Sequence, residues 1–170
     1  VLQDFKLFAF PVWENIVLNG KMDEERLEYC IDKCGLNSKI ASLPKGVNTS
    51  IGREFDEEGI EFSGGEGQKL ASSRALYKNG KISIMDEPTS ALDPIAEYEL
   101  YNRFDQIIMN NTALYVSHRL ASAKFCDKVA VFADGRIIEE GTHDELMNQN
   151  GVYCEMFNKQ AEYYREEAGK

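Results

Sequence analysis

The chain has 170 residues, 43% of them hydrophobic and 28% charged, the balance of a globular protein and not of a disordered one. Nineteen Lys and Arg against 29 Asp and Glu leave a net charge of −10. That excludes a non-specific DNA or RNA binder, which needs a basic face to displace counterions, but not a small nucleotide, whose phosphates need only a few local donors.

Residues 1–4 read as the middle of a strand and carry no signal-peptide pattern. The longest apolar stretch, 7–13, contains Pro11 and falls far short of the roughly 18 residues of a membrane span. Asp23 caps a helix predicted over 23–35, where Leu27, Cys30, Ile31 and Cys34 form one apolar stripe and Gly35 stops it. Met22 and Leu27 are placed for a hydrophobic staple at its start. A polar segment with Pro44, Gly46 and Gly52 follows, and then 54–61 carries five acids in eight residues. The first 60 residues thus read as a helical appendage.

From Phe62 the pattern alternates. A helix over 64–79 ends at Asn79-Gly80, and 82–85 reads as a short buried strand. Asp93 and Pro94 open another helix, 113–116 is a strand, and 120–125 a short helix. Residues 129–132 and 136–138 form a hairpin about Asp134-Gly135, Thr142 and Glu145 make a capping box, and an amphipathic helix covers 152–166. This order implies an α/β layer with a mostly parallel sheet. Cys30 and Cys34 share a helix while Cys126, Cys154, His118 and His143 are scattered. That is the spacing of reduced packing thiols in an intracellular setting and not of a zinc site.

Four places carry chemistry. Asp86 and Glu87 end the strand 82–85, and ligands of open α/β sheets sit at strand carboxyl ends; one acid suits Mg²⁺ on a nucleotide, the second an attacking water. In Phe62-Ser63-Gly64-Gly65-Glu66, Ser63 and Glu66 have capping-box spacing, and two glycines bare the amides of a helix start, a ready anion site. Ser117-His118 follows the strand 113–116, where a histidine can reach a terminal phosphate. Gln3-Asp4 follows an apolar start.

In this order and spacing, with Met85-Asp86-Glu87-Pro88 and Ser90-Ala91-Leu92-Asp93, these residues resemble the nucleotide-binding domains of ABC transporters along essentially the whole chain. Leu43-Pro44-Lys45-Gly46, Ser117-His118-Arg119-Leu120 and Asp134-Gly135-Arg136-Ile137-Ile138 with Gly141-Thr142-His143 look like the exporter branch. The resemblance implies a partial P-loop NTPase fold: Q-loop and helical subdomain with the signature helix over 1–80, and the C-terminal part of the ATPase core over 81–170. It makes Gln3 the Q-loop glutamine, a catalytic and Mg²⁺-binding residue, and Ser63, Gly64, Gly65 and Glu66 the signature that meets ATP in trans. Asp86 becomes the Mg²⁺ ligand and Glu87 the catalytic acid of the Walker B pair. Ser90, Ala91, Leu92 and Asp93 become the D-loop, and His118 the switch histidine. Glu66 stands where the family has Gln, which puts a carboxylate near a partner's phosphate unless it turns back to its own cap. Lys69 stands where Arg is usual.

The family also needs G-x-x-x-x-G-K-[ST]. Gly-Lys occurs at 20/21, 80/81 and 169/170, never with a glycine five places earlier. The chain therefore reads as the C-terminal portion of a larger ATPase domain, one that couples ATP to export but does not hydrolyse ATP by itself. The alternative is a non-hydrolytic module that lends its signature to a complete partner ATPase. The implied partners are a second nucleotide-binding domain and the coupling helices of a transmembrane domain, with no nucleic acid. Phe5, Phe8, Phe10 and Trp13 either line the groove for those helices or form a local core. The run 54–61 either meets basic loops or is a solvated loop. The implied site of action is the cytoplasmic face of a membrane, the chain itself being soluble. A missing central strand and helix would expose apolar sheet surface and favour self-association.

Overall fold

A computed structural model describes residues 5–89, 97 and 111–168, with side chains as far as 162. The segment 1–4 and the helix expected from Pro94 lie outside the described residues. The chain divides into two compact units, Val1–Val116 and Ser117–Lys170. The sequence-based division at 80/81 follows the motifs, whereas the first unit holds both the helices and one parallel strand pair.

In the first unit Pro11 precedes α1 (Val12–Val17), and Asp23 accepts the Arg26 amide to open α2 (Glu24–Lys33). A short α3 (Asn37–Ser42) and a 3-10 turn (Gly46–Asn48) lead to α4 (Gly64–Lys78), which ends on Asn79 in the left-handed region. The apolar stripe of α2 serves two clusters. Leu27 and Ile31 join Val12, Ile16, Leu36 and Leu70, while Cys30 and Cys34 join Leu76 and Met85, with Tyr29, Tyr77 and Tyr115 packed against them. Full burial of each such aliphatic side chain is worth about 1.5–3 kcal/mol.

Strands β1 (Ile82–Asp86) and β2 (Thr112–Val116) pair in parallel, Ile82 opposite Thr112 and Asp86 opposite Val116. The expectation of a buried strand is corrected here. Alternation sends Met85 (2% exposed) into the thiol-lined cluster, but Ile82 is 68% and Leu114 55% exposed, with Ile84 and Val116 also half out. Among the described residues one face of the pair is covered and its apolar opposite face is open. Of the expected mostly parallel sheet, the described residues contain this one parallel pair.

The acidic run folds as a pinned loop. Lys45 pairs with Glu58 at 2.7 Å, Arg53 Nε donates to the Gly59 carbonyl, and Ile51 bridges to Ile60. A Cβ at Gly59 would run into the Gly52 and Asp56 carbonyl oxygens, so the loop requires glycine there.

The second unit opens with a 3-10 turn (Leu120–Phe125) where a short helix was expected. The hairpin β3 (Val129–Ala133) and β4 (Arg136–Gly141) follows, antiparallel with an irregularity at Val131/Phe132. Asp134 and Gly135 both have positive φ, as a tight primed turn demands. Thr142 and Glu145 form the expected capping box at α5 (His143–Gln149), and α6 (Val152–Ala168) completes the unit. Glu139 of β4 caps α6, accepting the amides of Val152 at 2.6 Å and Tyr153 at 2.9 Å. Ala123, Leu146 and Tyr153 form the core, with Phe157 packed against it and His143 Nδ1 2.8 Å from the Tyr153 hydroxyl. No described helix is long and apolar enough to cross a membrane.

Candidate functional site

The start of α4 is built by reciprocal capping. Ser63 Oγ accepts the Glu66 amide at 3.3 Å, and Glu66 Oε2 accepts the Ser63 amide at 2.8 Å. The other carboxylate oxygen of Glu66 lies 3.0 Å from Lys39 Nζ, which also sits over the Phe62 ring. Partial burial pushes the Glu66 pKa up, but the Ser63 amide, the Lys39 ammonium and the Ser63 hydroxyl outweigh it and hold the carboxyl below its usual range. The carboxylate is therefore turned back on its own chain and its charge matched by Lys39. Ser63 and Gly64 remain exposed at the positive end of a 15-residue helix, a geometry suited to an anionic oxygen. One turn on, a Cβ at Gly67 would press on the Phe5 ring, so glycine lets residue 5 lie against α4.

The acid pair stands where β1 ends. Asp86 closes the strand and Glu87 turns sharply, with φ of 45°. A non-glycine residue there costs about 1–2 kcal/mol. Two hydrogen bonds hold it: the Glu87 amide donates to the Val116 carbonyl at 2.8 Å, and Gln68 Nε2 donates to the Glu87 carbonyl at 2.9 Å. Gln68 comes from α4 and is 1% exposed. The structure thus joins the Ser63–Glu66 turn and the acid pair through one side chain. Pro88 and Thr89 are buried just beyond, and Thr89 Oγ1 donates to Glu97 Oε1 at 2.8 Å.

Next to residues 5–10, a buried amide and a guanidinium set the backbone. Asn15 Oδ1 accepts the Phe8 amide at 2.9 Å, and its Nδ2 donates to the carbonyls of Phe8 and Phe10. Arg74 of α4 donates to the carbonyls of Asn15 and Lys6 and lies over the Phe8 ring. The aromatics divide: Trp13 packs on the first core cluster, whereas Phe8 and Phe10 are stacked at 6.2 Å and exposed.

In the second unit His118 lies exposed before the 3-10 turn. Arg119 donates its amide to Ser117 Oγ at 3.0 Å. Gln160 of α6 accepts the Leu120 amide at 2.6 Å and donates to the His118 carbonyl at 2.8 Å. Gln3, Ser90, Ala91, Leu92 and Asp93 lie outside the described residues. Sequence reasoning missed Asn15, Lys39, Gln68 and Gln160. For two of them a signal existed: Gln68 interrupts the buried face of α4, and Gln160 continues the i, i+4, i+7 face of Tyr153 and Phe157. Among the described residues no group of three or more His, Cys, Asp or Glu could cage a metal. Asp86 fits an Mg²⁺ that takes most of its ligands from phosphate and water.

No family model matches the chain. It is similar to the ATP-dependent lipid A-core flippases of Cupriavidus pinatubonensis (37% identity, 91% of this chain, 26% of the relative) and Pseudomonas fluorescens (39%, 92% and 26%). It is also similar to ABC transporter B family member 19 of Arabidopsis thaliana, with 37% identity over 94% of this chain and 12% of the relative. Among solved structures it matches a bacterial Atm1-family ABC exporter with ATP bound, at a TM-score of 0.84 and 31% identity over 94% of this chain and 28% of that one. The chain spans about a quarter of the length of the flippases it matches, and its fold is that of the corresponding part of an ABC exporter.

Proposed function

We propose that these residues are part of the nucleotide-binding domain of an ABC exporter, a domain that couples ATP binding and hydrolysis to transport. The observation that carries this reading is the Gln68 link between the Ser63–Glu66 helix start and Glu87 at the end of a parallel strand. It ties two motifs of the family into one unit. Ser63, Gly64 and Gly65 meet the phosphates of ATP held by a second nucleotide-binding domain. Glu66, already engaged by Ser63 and Lys39, keeps the capping geometry without offering those phosphates an open carboxylate. Asp86 holds the Mg²⁺ that neutralises phosphate charge, Glu87 orients the attacking water, and His118 and Gln3 act at the terminal phosphate. Ser90, Ala91, Leu92 and Asp93 are the D-loop in this reading. Exposed Phe8 and Phe10, set by Asn15 and Arg74, offer apolar surface to the coupling helices of a transmembrane domain at the cytoplasmic face.

The test uses the full-length protein that carries these residues. Glu87→Gln is expected to stop ATP turnover while leaving a nucleotide-bound dimer that persists in Mg-ATP. Turnover unchanged by Glu87→Gln would refute the assignment. A polypeptide of the 170 residues alone, with no G-x-x-x-x-G-K-[ST] to cradle the phosphates, is inactive in this reading. It self-associates through the open β1–β2 face.

A further inference from the structure

Gln160 holds the backbone on both sides of one peptide segment. Its Oε1 accepts the Leu120 amide at 2.6 Å and its Nε2 donates to the His118 carbonyl at 2.8 Å. A carboxamide carries an acceptor and a donor on one planar head, whereas neither an ionised carboxylate nor an aliphatic side chain can make both bonds. Arg119, between them, donates its amide to Ser117 Oγ. The main chain from 118 to 120 is thereby fixed while the His118 side chain stays at the surface.

Docking of α6 does not need this clamp. Tyr153, 1% exposed, and Phe157 already seat the helix against Leu146 and Ala123, and Glu139 caps its start. What Gln160 adds is the conformation of the segment that bears His118. We propose that Gln160 is a positioning residue for His118, so that the C-terminal helix sets the geometry with which the histidine meets the terminal phosphate. The inference rests on the role given to His118 above.

The experiment compares Gln160→Leu, Gln160→Glu and His118→Ala in the full-length protein, reading ATP turnover, KM for ATP, thermal midpoint and amide exchange of the peptide spanning 117–121. Gln160→Leu is expected to lower kcat tenfold or more with KM within twofold and the thermal midpoint nearly unchanged, and to speed exchange at Leu120. Gln160→Glu keeps the acceptor and loses the donor, so its kcat falls in between; it also serves if the leucine variant fails to fold. Faster exchange in Gln160→Leu with wild-type kcat would overturn the proposal, as would a kcat loss matched by loss of folded protein. Unchanged turnover in His118→Ala would overturn the underlying role of His118. That failure is distinguishable because the exchange change in the Gln160 variants would persist.

Discussion

The side-chain amide of Gln68 donates to the backbone carbonyl of Glu87 at 2.9 Å, across 19 positions of sequence. It reaches from the second turn of α4, on its buried face, to a residue held at positive φ. A helix start and a strand end are thereby constrained together.

Replacing Gln68 with Leu keeps the volume but leaves the Glu87 carbonyl without this donor. Such a loss costs about 1–3 kcal/mol. Urea unfolding should show that decrease, and ATP turnover of the full-length protein should drop with it because Glu87 is free to leave its strained conformation.

Glu66 tests charge against capping. Glu66→Gln keeps an acceptor for the Ser63 amide and surrenders only the pair with Lys39, so a stability change under about 1 kcal/mol is expected. Glu66→Ala removes the reach-back bond altogether and should unravel the first turn of α4. Circular dichroism of both variants separates the two terms.

Acid should loosen the same turn. The Glu66 carboxyl lies below its ordinary value in the folded chain, so its contribution is fully present above the unfolded value of about 4.3 and is lost as pH falls through the folded one. Glu145, held low mainly by the Thr142 amide, behaves alike at α5. Helical signal is expected to hold from neutral pH to about 5 and to decline below about 4. In Glu66→Gln the step at α4 should be smaller.

Cys30 should be nearly inert. Burial lifts its thiol to about 11, against a smaller opposing pull from Arg26. At pH 8 the thiolate is then about one part in a thousand. Alkylation followed by mass spectrometry should leave Cys30 unmodified in the native chain and modify it rapidly in urea.

The isolated 170-residue polypeptide should neither turn over Mg-ATP nor remain monomeric. Calorimetric titration with Mg-ATP is expected to show no micromolar binding. Light scattering should show mass rising with concentration, and Ile84→Lys with Leu114→Lys should suppress that rise by charging the open face of the strand pair.

Much of the local structure was legible because its causes are local. Asp23, the Ser63/Glu66 and Thr142/Glu145 boxes and Asp134-Gly135 each act within four residues, and each stands where the sequence put it. The six-residue helices α1 and α3 are too short for a 3.6-residue period to declare itself. Apolar residues along β1 read as burial on both faces, but alternation alone does not say which faces find cover. Gln68 and Gln160 work over 19 and 42 positions, and such bonds leave no period to read. A polar residue on an apolar helical face is their only trace.

Glu139 makes the β3–β4 hairpin a length gauge for the last helix. By taking the first two amides of α6 it fixes where that helix begins, and Gln160 falls eight residues after Val152, about 12 Å along the axis. The gauge has little tolerance. One residue inserted between Tyr153 and Gln160 would turn the glutamine by about 100° and carry its amide away from the His118 segment with every other bond of the hairpin intact.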